Sequence, residues 1–453
     1  MKNYDAIVIG FGKGGKTLAG ALAGAGKTVA LVEKSEKMYG GTCINVGCIP
    51  TKSLVNSARL SAEQGGSFEE KAERYARAVA EKDRLTGMLR GKNYEKLNSH
   101  PNVTVYNGTA SFLDSRRVAV EGKDGRAELE GARIFLNTGA RPFVPPIPGL
   151  EGNPDVYLSE TLLDRKELPR ELVIIGGGYI GMEFASIYAD FGSHVTVIQD
   201  GPVFLPREDE EIAAAVLESL RARGVEVLLS TKVEAIVREN NRTVVRAGTD
   251  AALPTEAVLV ATGRRPNVKG LNLEAAGVEL TPEGAVKTDV SLKTTVPHIW
   301  AMGDVAGGLQ FTYISLDDFR IVKSQVLGDG SRTTQNRGAV PYSVFLDPPF
   351  SRVGMTEREA REQGYEVKVA RLAATAIPKA QVLRRPAGLL KAVVDGKTGR
   401  ILGAHLFCEE SYELINLFKL AIDAGIPYPV LRDNIYTHPT MSEALNDLFA
   451  AVS

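Results

Sequence analysis

Two segments of the chain repeat one pattern, in which a buried strand runs into a glycine-rich turn and then a helix. The first segment spans residues 5–33 and the second spans residues 171–200. Each turn has the spacing G-x-G-x-x-G, carried by Gly10, Gly12, Gly15, Gly176, Gly178 and Gly181. Glycines at this spacing allow a tight turn and let the backbone approach a pyrophosphate at the helix N-terminus. Because each such unit binds one dinucleotide, the chain is predicted to bind two.

The strand that follows each helix normally ends in an acid, which accepts hydrogen bonds from ribose hydroxyls. Glu33 meets this expectation in the first unit, whereas the second unit has Gln199 followed by Asp200. The missing carboxylate weakens the case for strict use of NADH. A basic cluster for a 2′-phosphate is also missing there, although Arg207 and Arg264 could reach such a group. The choice between NADH and NADPH therefore stays open.

The rest of the chain indicates how these units are arranged. Each unit later returns with a strand that ends in Thr-Gly, at residues 134–139 and 258–263, and a proline-rich run at 142–148 suits a stiff connection. From about residue 340, strand-like stretches precede a helix near residues 411–424. The predicted fold class is therefore α/β, with two Rossmann-like dinucleotide-binding domains and a third, C-terminal α+β domain.

Composition excludes several classes of partner. The net charge of −1 removes any electrostatic argument for binding nucleic acid or an anionic membrane. The chain shows neither an apolar run of about 18 residues nor the pattern of a secretory signal, so we expect a cytoplasmic protein that does not enter a membrane. Three cysteines in 453 residues also suit a reducing compartment, where a disulfide is usually catalytic.

Cys43 and Cys48 lie together in the segment 40–52, with four residues between them. One helical turn rises about 5.4 Å, which is compatible with a disulfide between residues five apart. A structural disulfide closing so short a loop would gain little from loop entropy. A structural zinc ion would need four ligands, and no second cysteine pair or histidine is near. We therefore interpret the pair as redox-active and predict no metal site, and we expect the distant Cys408 to be a buried, inert thiol.

Charged residues near these motifs suggest how the thiols are controlled. Lys52 lies four residues after Cys48, and Glu183 follows the second glycine turn. Surface charges are one interpretation, but a buried Lys–Glu pair beside a flavin would lower a thiolate pKa. Near the C-terminus, His438 lies five residues before Glu443, so that the carboxylate could orient the imidazole. Thiol–disulfide exchange needs such a base and acid, although a structural histidine is the alternative.

Asp304 ends the segment Ala-Met-Gly-Asp, where a strand runs into a Gly-Asp turn. An ordinary turn aspartate is one interpretation. The functional interpretation is a carboxylate close to a ribityl or phosphate-proximal hydroxyl.

Taken together, these motifs resemble the pyridine nucleotide–disulfide oxidoreductases, a family of FAD enzymes that includes dihydrolipoamide dehydrogenase, glutathione reductase and mercuric reductase. The resemblance covers essentially the whole chain. It rests on GGTCINVGCIPTK at 40–52, GGGYIGME at 176–183, AMGD at 301–304 and HPTMSE at 438–443. It implies an FAD-binding domain at 1–148 and 285–338, an NAD(P)-binding domain at 149–284 and a dimerisation domain at 339–453.

The resemblance also implies roles for single residues. Cys48 would be the thiol on the flavin side, and Cys43 the interchange thiol that faces the substrate. His438, oriented by Glu443, would complete the active site of the partner subunit in an obligate homodimer. Lys52 would act at the flavin with its predicted partner. The residues expected to hold FAD and NADPH or NADH are Gly10, Gly12, Gly14, Gly15, Glu33, Lys34, Gly41, Thr42, Lys52, Thr138, Gly139, Asp304, Gly176, Gly178, Tyr179, Ile180, Gly181, Gln199 and Gly263.

Within the family, the segments 38–48, 204–209 and 300–318 are similar to bacterial flavoproteins of reactive-chlorine resistance, which reduce hypothiocyanous acid. That similarity implies a small-molecule oxidant as substrate, attacked by Cys43 and released as thiocyanate by Cys48. The C-terminus lacks the cysteine pair of a mercuric reductase. The alternatives are a dihydrolipoamide dehydrogenase, a glutathione-type disulfide reductase, a reductase of Cu(II) or Hg(II), and, more remotely, a non-enzymatic flavin redox sensor.

Overall fold

The computed structural model describes residues 1–123, 125–249 and 251–453. Its strands are β1 (Lys2–Ile9), β2 (Val29–Glu33), β3 (Val103–Asn107), β4 (Thr109–Phe112), β5 (Arg117–Gly122), β6 (Gly125–Leu136), β7 (Ala140–Pro142), β8 (Val156–Leu158), β9 (Glu171–Ile175), β10 (His194–Ile198), β11 (Glu226–Leu228), β12 (Val233–Glu239), β13 (Arg242–Ala247), β14 (Ala251–Thr255), β15 (Ala257–Val260), β16 (Arg264–Pro266), β17 (Ile299–Ala301), β18 (Tyr342–Val344), β19 (Phe350–Gly354), β20 (Val367–Ala373), β21 (Leu389–Asp395) and β22 (Ile401–Phe407).

The helices are α1 (Lys13–Gly24), α2 (Thr42–Asn45), α3 (Cys48–Gln64), α4 (Phe68–Asn98), α5 (Ser159–Leu162), α6 (Tyr179–Phe191), α7 (Glu210–Ala222), α8 (Thr312–Leu327), α9 (Glu357–Glu362), α10 (Pro378–Val382), α11 (Ser411–Asp423), α12 (Tyr428–Arg432) and α13 (Ala444–Ala450).

β1 lies at the centre of the first sheet, whose order is β3-β2-β1-β6-β5-β4. Its apolar half, residues 6–9, is buried, as expected of a parallel strand covered on both faces. β1 pairs in parallel with β2 and β6. Much later in the chain, β17 also pairs in parallel with β6, through Ile299 and Ile134. The chain therefore leaves this sheet, builds a second one and returns.

The second sheet repeats the arrangement around β9, in the order β11-β10-β9-β15-β8. All of its strand pairs are parallel. α6 joins β9 to β10 in the same way that α1 joins β1 to β2. Both helices therefore begin at the carboxyl end of a central parallel strand, the edge at which such sheets bind ligands. An antiparallel sheet, β12-β13-β14, is inserted between β11 and β15.

The third unit is a five-stranded antiparallel sheet with the order β18-β19-β22-β21-β20. Every residue of β22 is buried, and α11 and α13 supply the apolar side chains that cover the sheet. Lys391 of β21 is almost completely buried, and its Nζ lies 2.9 Å from both Asp209 Oδ2 and Glu357 Oε2. Because Asp209 immediately precedes α7, this buried ion pair ties the third unit to the second.

The predicted fold class is confirmed. Two sheets with parallel central strands and the glycine-turn helix arrangement are followed by a separate α+β unit, and in the first sheet β5 and β4 add an antiparallel edge. In the ranges that the structure describes, no helix has both the length and the apolar character needed to span a membrane.

Candidate active site

The carboxyl ends of the central parallel strands of both sheets open onto one cavity of about 2880 Å³. Its lining includes Ile9 and Glu33 from the first sheet, and Ile175 from the second. Gln199, which directly follows β10, also lines it. The cavity is therefore where ligands of both units would meet.

The first half of the cavity fits a dinucleotide. α1 follows Gly12, which supplies no side-chain cap. The amides of Gly14 and Gly15 donate to Ser315 Oγ (3.1 Å) and Asn137 Oδ1 (2.8 Å), so the amides of Gly12 and Lys13 are those left at the cavity for a ligand. Glu33 is 8% exposed, and its carboxylate accepts hydrogen bonds from the amides of Phe11 (3.0 Å) and Ser35 (3.2 Å). Burial raises the pKa of Glu33, and these amides oppose that rise. Each carboxylate oxygen has a second lone pair, which suits a ribose hydroxyl.

The second half of the cavity has the same arrangement of a helix start and a strand-end side chain, but that side chain is Gln199 instead of a glutamate. α6 begins at Gly178, again without a side-chain cap. Gln199 donates its amide nitrogen to the carbonyls of Gly201 (3.2 Å) and Val203 (2.7 Å), which holds the side chain in place. Its Oε1 points towards Gly177, where a Cβ atom would clash with it. Two helix starts that line one cavity, each after a glycine turn, fit two dinucleotides.

Three glycines that we expected to touch a cofactor lie outside the cavity lining: Gly14, Gly15 and Gly181. A Cβ atom at Gly15 would clash with the carbonyl oxygen of Gly10, and one at Gly181 with that of Gly176. These positions therefore let each helix lie directly against the preceding strand end. Their effect on a bound cofactor would be indirect, through the position of the helix.

The other expected cofactor residues all line the cavity, namely Gly10, Gly12, Glu33, Lys34, Gly41, Thr42, Lys52, Thr138, Gly139, Gly176, Gly178, Tyr179, Ile180, Gln199, Gly263 and Asp304. Burial raises the pKa of Asp304, and the positive charge of Arg264 opposes that rise. Arg264 is itself engaged: its Nη2 donates to the Ala140 carbonyl at 2.6 Å. Because of this hydrogen bond, the Arg264 guanidinium is poorly placed to bind a 2′-phosphate.

Cys43 and Cys48 lie side by side on the same cavity, Cys43 in the short helix α2 and Cys48 at the start of α3. Both thiols are free. The thiol of Cys43 donates a hydrogen bond to Cys48, which lowers the pKa of Cys48 to about 6, aided by Thr312 and Lys52. The same hydrogen bond raises the pKa of Cys43. Cys48 is therefore the thiolate of the pair, and Cys43 is the thiol.

Lys52 and Glu183, which are 131 residues apart, form an ion pair with Nζ–O distances of 2.6 and 2.7 Å. Lys52 lies one helical turn after Cys48 on α3, so both side chains face the same way. Glu183 also accepts a hydrogen bond from the amide of Phe345 (2.9 Å), and the Lys52 Nζ lies 4.7 Å from the centre of the Phe345 ring. The structure thus brings the predicted pair together beside the thiolate.

His438 Nδ1 lies 2.7 Å from Glu443 Oε2, and Glu443 also accepts a hydrogen bond from the Thr440 amide (3.2 Å). The histidine lowers the pKa of Glu443 through its hydrogen bond. The imidazole is therefore oriented, but its side chain is 69% exposed and lies outside the cavity. Among the described residues, no histidine lines the cavity around the thiols. A single chain does not bring His438 to Cys43.

Two residues beside the site have no short sequence signature. Thr312 Oγ1, at the start of α8, lies 3.4 Å from the Cys48 sulfur although 264 residues separate them. The amide of Phe345, in the third unit, donates a hydrogen bond to Glu183 and holds it in place.

Cys408 is completely buried, and burial raises its pKa, so it is unavailable as a thiolate. Across the described ranges, no group of three or more His, Cys, Asp or Glu residues could hold a metal ion.

The chain belongs to the pyridine nucleotide-disulphide oxidoreductase family, whose profile matches residues 4–318. The dimerisation domain of the same family matches residues 340–449. The protein is therefore an oxidoreductase of a family that works with a flavin and NAD(P)H, and the fit of the cavity to two dinucleotides agrees with this.

Similar proteins narrow the class further. The chain is 50% identical over its full length to the full-length Escherichia coli protein named "Probable pyridine nucleotide-disulfide oxidoreductase RclA". It is 34% identical, over 99% of its length and 98% of the relative, to a dihydrolipoyl dehydrogenase of Mycobacterium bovis. A solved Cu(II) complex of the HOCl-induced flavoprotein disulfide reductase RclA from E. coli superimposes with a TM-score of 0.95, at 50% identity and with 99% of each chain covered. The chain is a flavoprotein disulfide reductase similar to RclA.

Proposed function

We propose that this protein reduces hypothiocyanous acid to thiocyanate at the expense of NADPH or NADH, with Cys43 and Cys48 as the reacting thiols. The asymmetry of the pair carries the proposal: Cys48 is a stabilised thiolate and Cys43 a protonated thiol that receives the substrate. The full-length similarity to a HOCl-induced reductase supports defence against an oxidant as the setting. Use of a redox pair suits the cytoplasm, which is reducing.

The residues around Cys48 keep it ready to receive or return electrons. When bound, FAD relays two electrons from the nicotinamide to the Cys43–Cys48 pair. Lys52 supplies a positive charge one turn from Cys48, and the Thr312 hydroxyl lies 3.4 Å from its sulfur. Glu183 holds the Lys52 ammonium in place. Glu33, Asp304 and the amides of Gly12 and Lys13 would hold the flavin nucleotide, and the start of α6 would hold the nicotinamide nucleotide.

The two thiols carry out the chemical steps. The Cys43 thiolate attacks the sulfur of hypothiocyanous acid, so that a sulfur–sulfur bond forms, the sulfur–oxygen bond breaks and hydroxide leaves to become water. The Cys48 thiolate then attacks the Cys43 sulfur, expels thiocyanate and re-forms the Cys43–Cys48 disulfide. The thiol pair has lost two electrons and the substrate has gained them.

Cys43 needs a base, because its hydrogen bond to Cys48 raises its pKa. The cavity of one chain offers no histidine within the described residues, whereas His438 is exposed, oriented by Glu443 and carried by the region that matches a dimerisation domain. We therefore place His438 in the active site of the partner subunit of a homodimer. There it would deprotonate Cys43 and protonate the leaving hydroxide.

The test is steady-state oxidation of NADPH and NADH by the purified yellow enzyme with hypothiocyanous acid, lipoamide, glutathione disulfide, Cu(II) or Hg(II) as acceptor. Fast turnover is expected with hypothiocyanous acid. Cys43→Ser should lower it by more than about a thousandfold, as expected for loss of a nucleophile, and should keep FAD bound. Cys408→Ser, at the buried third cysteine, is the matched control and should keep full activity. Fast turnover with lipoamide instead would refute the proposal and indicate a dihydrolipoyl dehydrogenase.

A further inference from the structure

Three aromatic rings that the mechanism above does not use form a stacked wall in the cavity. Phe311 immediately precedes α8, Tyr313 lies on its first turn and Tyr342 begins β18. The centres of the Tyr313 and Phe311 rings lie 5.1 Å apart, with 9° between their planes. The Phe311 and Tyr342 rings lie 5.6 Å apart, with 15° between their planes. These three residues, the aromatic wall, line the same cavity as Cys43 and Cys48.

A direct contact places the aromatic wall beside the thiols. Thr312 Oγ1 lies 3.4 Å from the Cys48 sulfur, and the two chain neighbours of Thr312 are Phe311 and Tyr313. Burial and then the negative charge of the Cys48 thiolate raise the pKa of Tyr313, so its hydroxyl stays protonated. A molecule that binds at the thiol pair therefore has the aromatic wall as a neighbour.

Hydroxyl groups fix the aromatic wall at both ends. The Tyr313 hydroxyl donates a hydrogen bond to the Pro341 carbonyl at 2.7 Å, and the Tyr342 hydroxyl donates one to Glu208 Oε1 at 2.7 Å. Glu208 is itself buried, and Phe311 is held between the two other rings. Tyr313 is 41% exposed, so its ring borders open space. Moving that ring aside would break both a hydrogen bond and a stacking contact.

We propose that Tyr313 is a specificity-determining residue, whose fixed ring leaves room at Cys43 for a small oxidant but not for the arm of a large disulfide. This inference rests on the proposed function. Attack on a disulfide breaks its sulfur–sulfur bond and leaves one sulfur, with its whole arm, joined to the attacking cysteine. Attack on hypothiocyanous acid leaves only a cyano group on the sulfur that joins Cys43. The aromatic wall therefore disfavours the first adduct and not the second.

The experiment compares a bulky and a small acceptor on the holoenzyme, through kcat/KM for lipoamide and for hypothiocyanous acid. Tyr313→Ala should raise the ratio of the lipoamide value to the hypothiocyanous acid value by about tenfold or more, since even one methylene in a fitted pocket changes discrimination by about that factor. Tyr313→Phe keeps the ring and should keep the wild-type ratio. Tyr365→Ala is the control, because Tyr365 is equally exposed, at 40%, but lies outside the cavity.

A second measurement needs no turnover. The NADPH-reduced holoenzyme is labelled with iodoacetamide or with the bulkier N-phenylmaleimide, and the rate at Cys43 is followed by mass spectrometry of its peptide. Tyr313→Ala should raise the N-phenylmaleimide to iodoacetamide rate ratio, and Tyr365→Ala should not. An unchanged labelling ratio in Tyr313→Ala would overturn the assignment, even if hypothiocyanous acid is turned over fast. A raised ratio in an enzyme that ignores hypothiocyanous acid would refute the proposed function and leave Tyr313 as the steric filter at Cys43.

Discussion

At the scale of single residues, the control of Cys48 is electrostatic and local. Its thiolate accepts a hydrogen bond from Cys43, lies 3.4 Å from the Thr312 hydroxyl and has the Lys52 ammonium one helical turn away. Together these groups outweigh burial, which by itself would raise the pKa. Lys52 lowers the pKa of Cys48 and Glu183 raises it. The hydrogen bond from Cys43 is the largest cause, and the ion pair adjusts the pKa of the thiol through the difference between two opposed charges.

Replacing Lys52 by Met should raise the pKa of Cys48 above its value of about 6. The thiolate, and with it the thiolate-to-flavin absorption band of the two-electron-reduced enzyme, exists above this pKa and is lost as the pH falls through it. The band of the variant should therefore be weaker at neutral pH and titrate at higher pH, measured across roughly pH 5 to 9.

Glu183→Gln is the matched variant, because it removes the other charge of the same pair. The band should then persist to lower pH than in the wild type, since the negative charge of Glu183 raises the pKa of Cys48. Midpoints that move in the same direction in both variants, or that do not move, would contradict the electrostatic account of the pair.

At the scale of elements, the thiol segment lies directly against the start of α1. Gly41 immediately precedes α2 and has a φ of +80°. A Cβ atom there would lie 2.6 Å from the Cα atom of Gly12, the residue from which α1 starts. The start of α1 and the segment that carries Cys43 are therefore positioned by each other.

Gly41→Ala should push α1 and α2 apart and weaken flavin binding. Gly26→Ala is the control, because Gly26 has nearly the same φ, +77°, but nothing within 4 Å of a new Cβ atom. A side chain in the left-handed region destabilises the backbone by about 1 kcal/mol in both variants. The two variants therefore differ only in whether the new Cβ atom meets another residue. The flavin-to-protein absorbance ratio of the purified variants measures the effect. Equal flavin content in the two would argue against the contact.

At the scale of the whole molecule, one chain holds its oriented histidine outside the cavity that its thiol pair lines. The thiol pair lines the cavity onto which the first and second sheets open, whereas the oriented His438 is exposed on the C-terminal unit. That unit is held to the second one by the buried Lys391 and its carboxylates. A two-fold dimer would bring the histidine of each chain to the thiols of the other.

Co-expressed subunits test this arrangement. Cys43→Ser and His438→Gln homodimers should both be inactive. A heterodimer with one of each should recover about half of the wild-type activity, because one of its two sites then has both groups. A heterodimer of wild type with the double variant should have very little activity, since each of its sites lacks one group. The opposite pattern, activity only in the second heterodimer, would show that both groups act within one chain.

The sequence by itself determined the parts of this protein that depend on neighbouring residues. Glycine spacing after a buried strand predicted both helix starts, since a tight turn at a strand end needs no distant partner. The positions of Cys43 and Cys48, five apart, predicted an adjacent thiol pair, and His438 with Glu443 predicted an oriented imidazole. The structure places each of these pairs in contact.

Tertiary structure decided whatever depends on distant segments meeting. Thr312 reaches Cys48 from 264 residues away, and Glu183 reaches Lys52 from 131 residues away. The sequence expectation treated Gly15 as a cofactor ligand, whereas the structure shows that it packs a helix against a strand. Hydrogen bonds and charges act over a few ångströms, so residues far apart in sequence combine only when the fold brings them together. For that reason the sequence predicted the redox pair and, by resemblance, distinct roles for its two thiols, whereas only the folded molecule showed that Thr312 helps to stabilise the Cys48 thiolate.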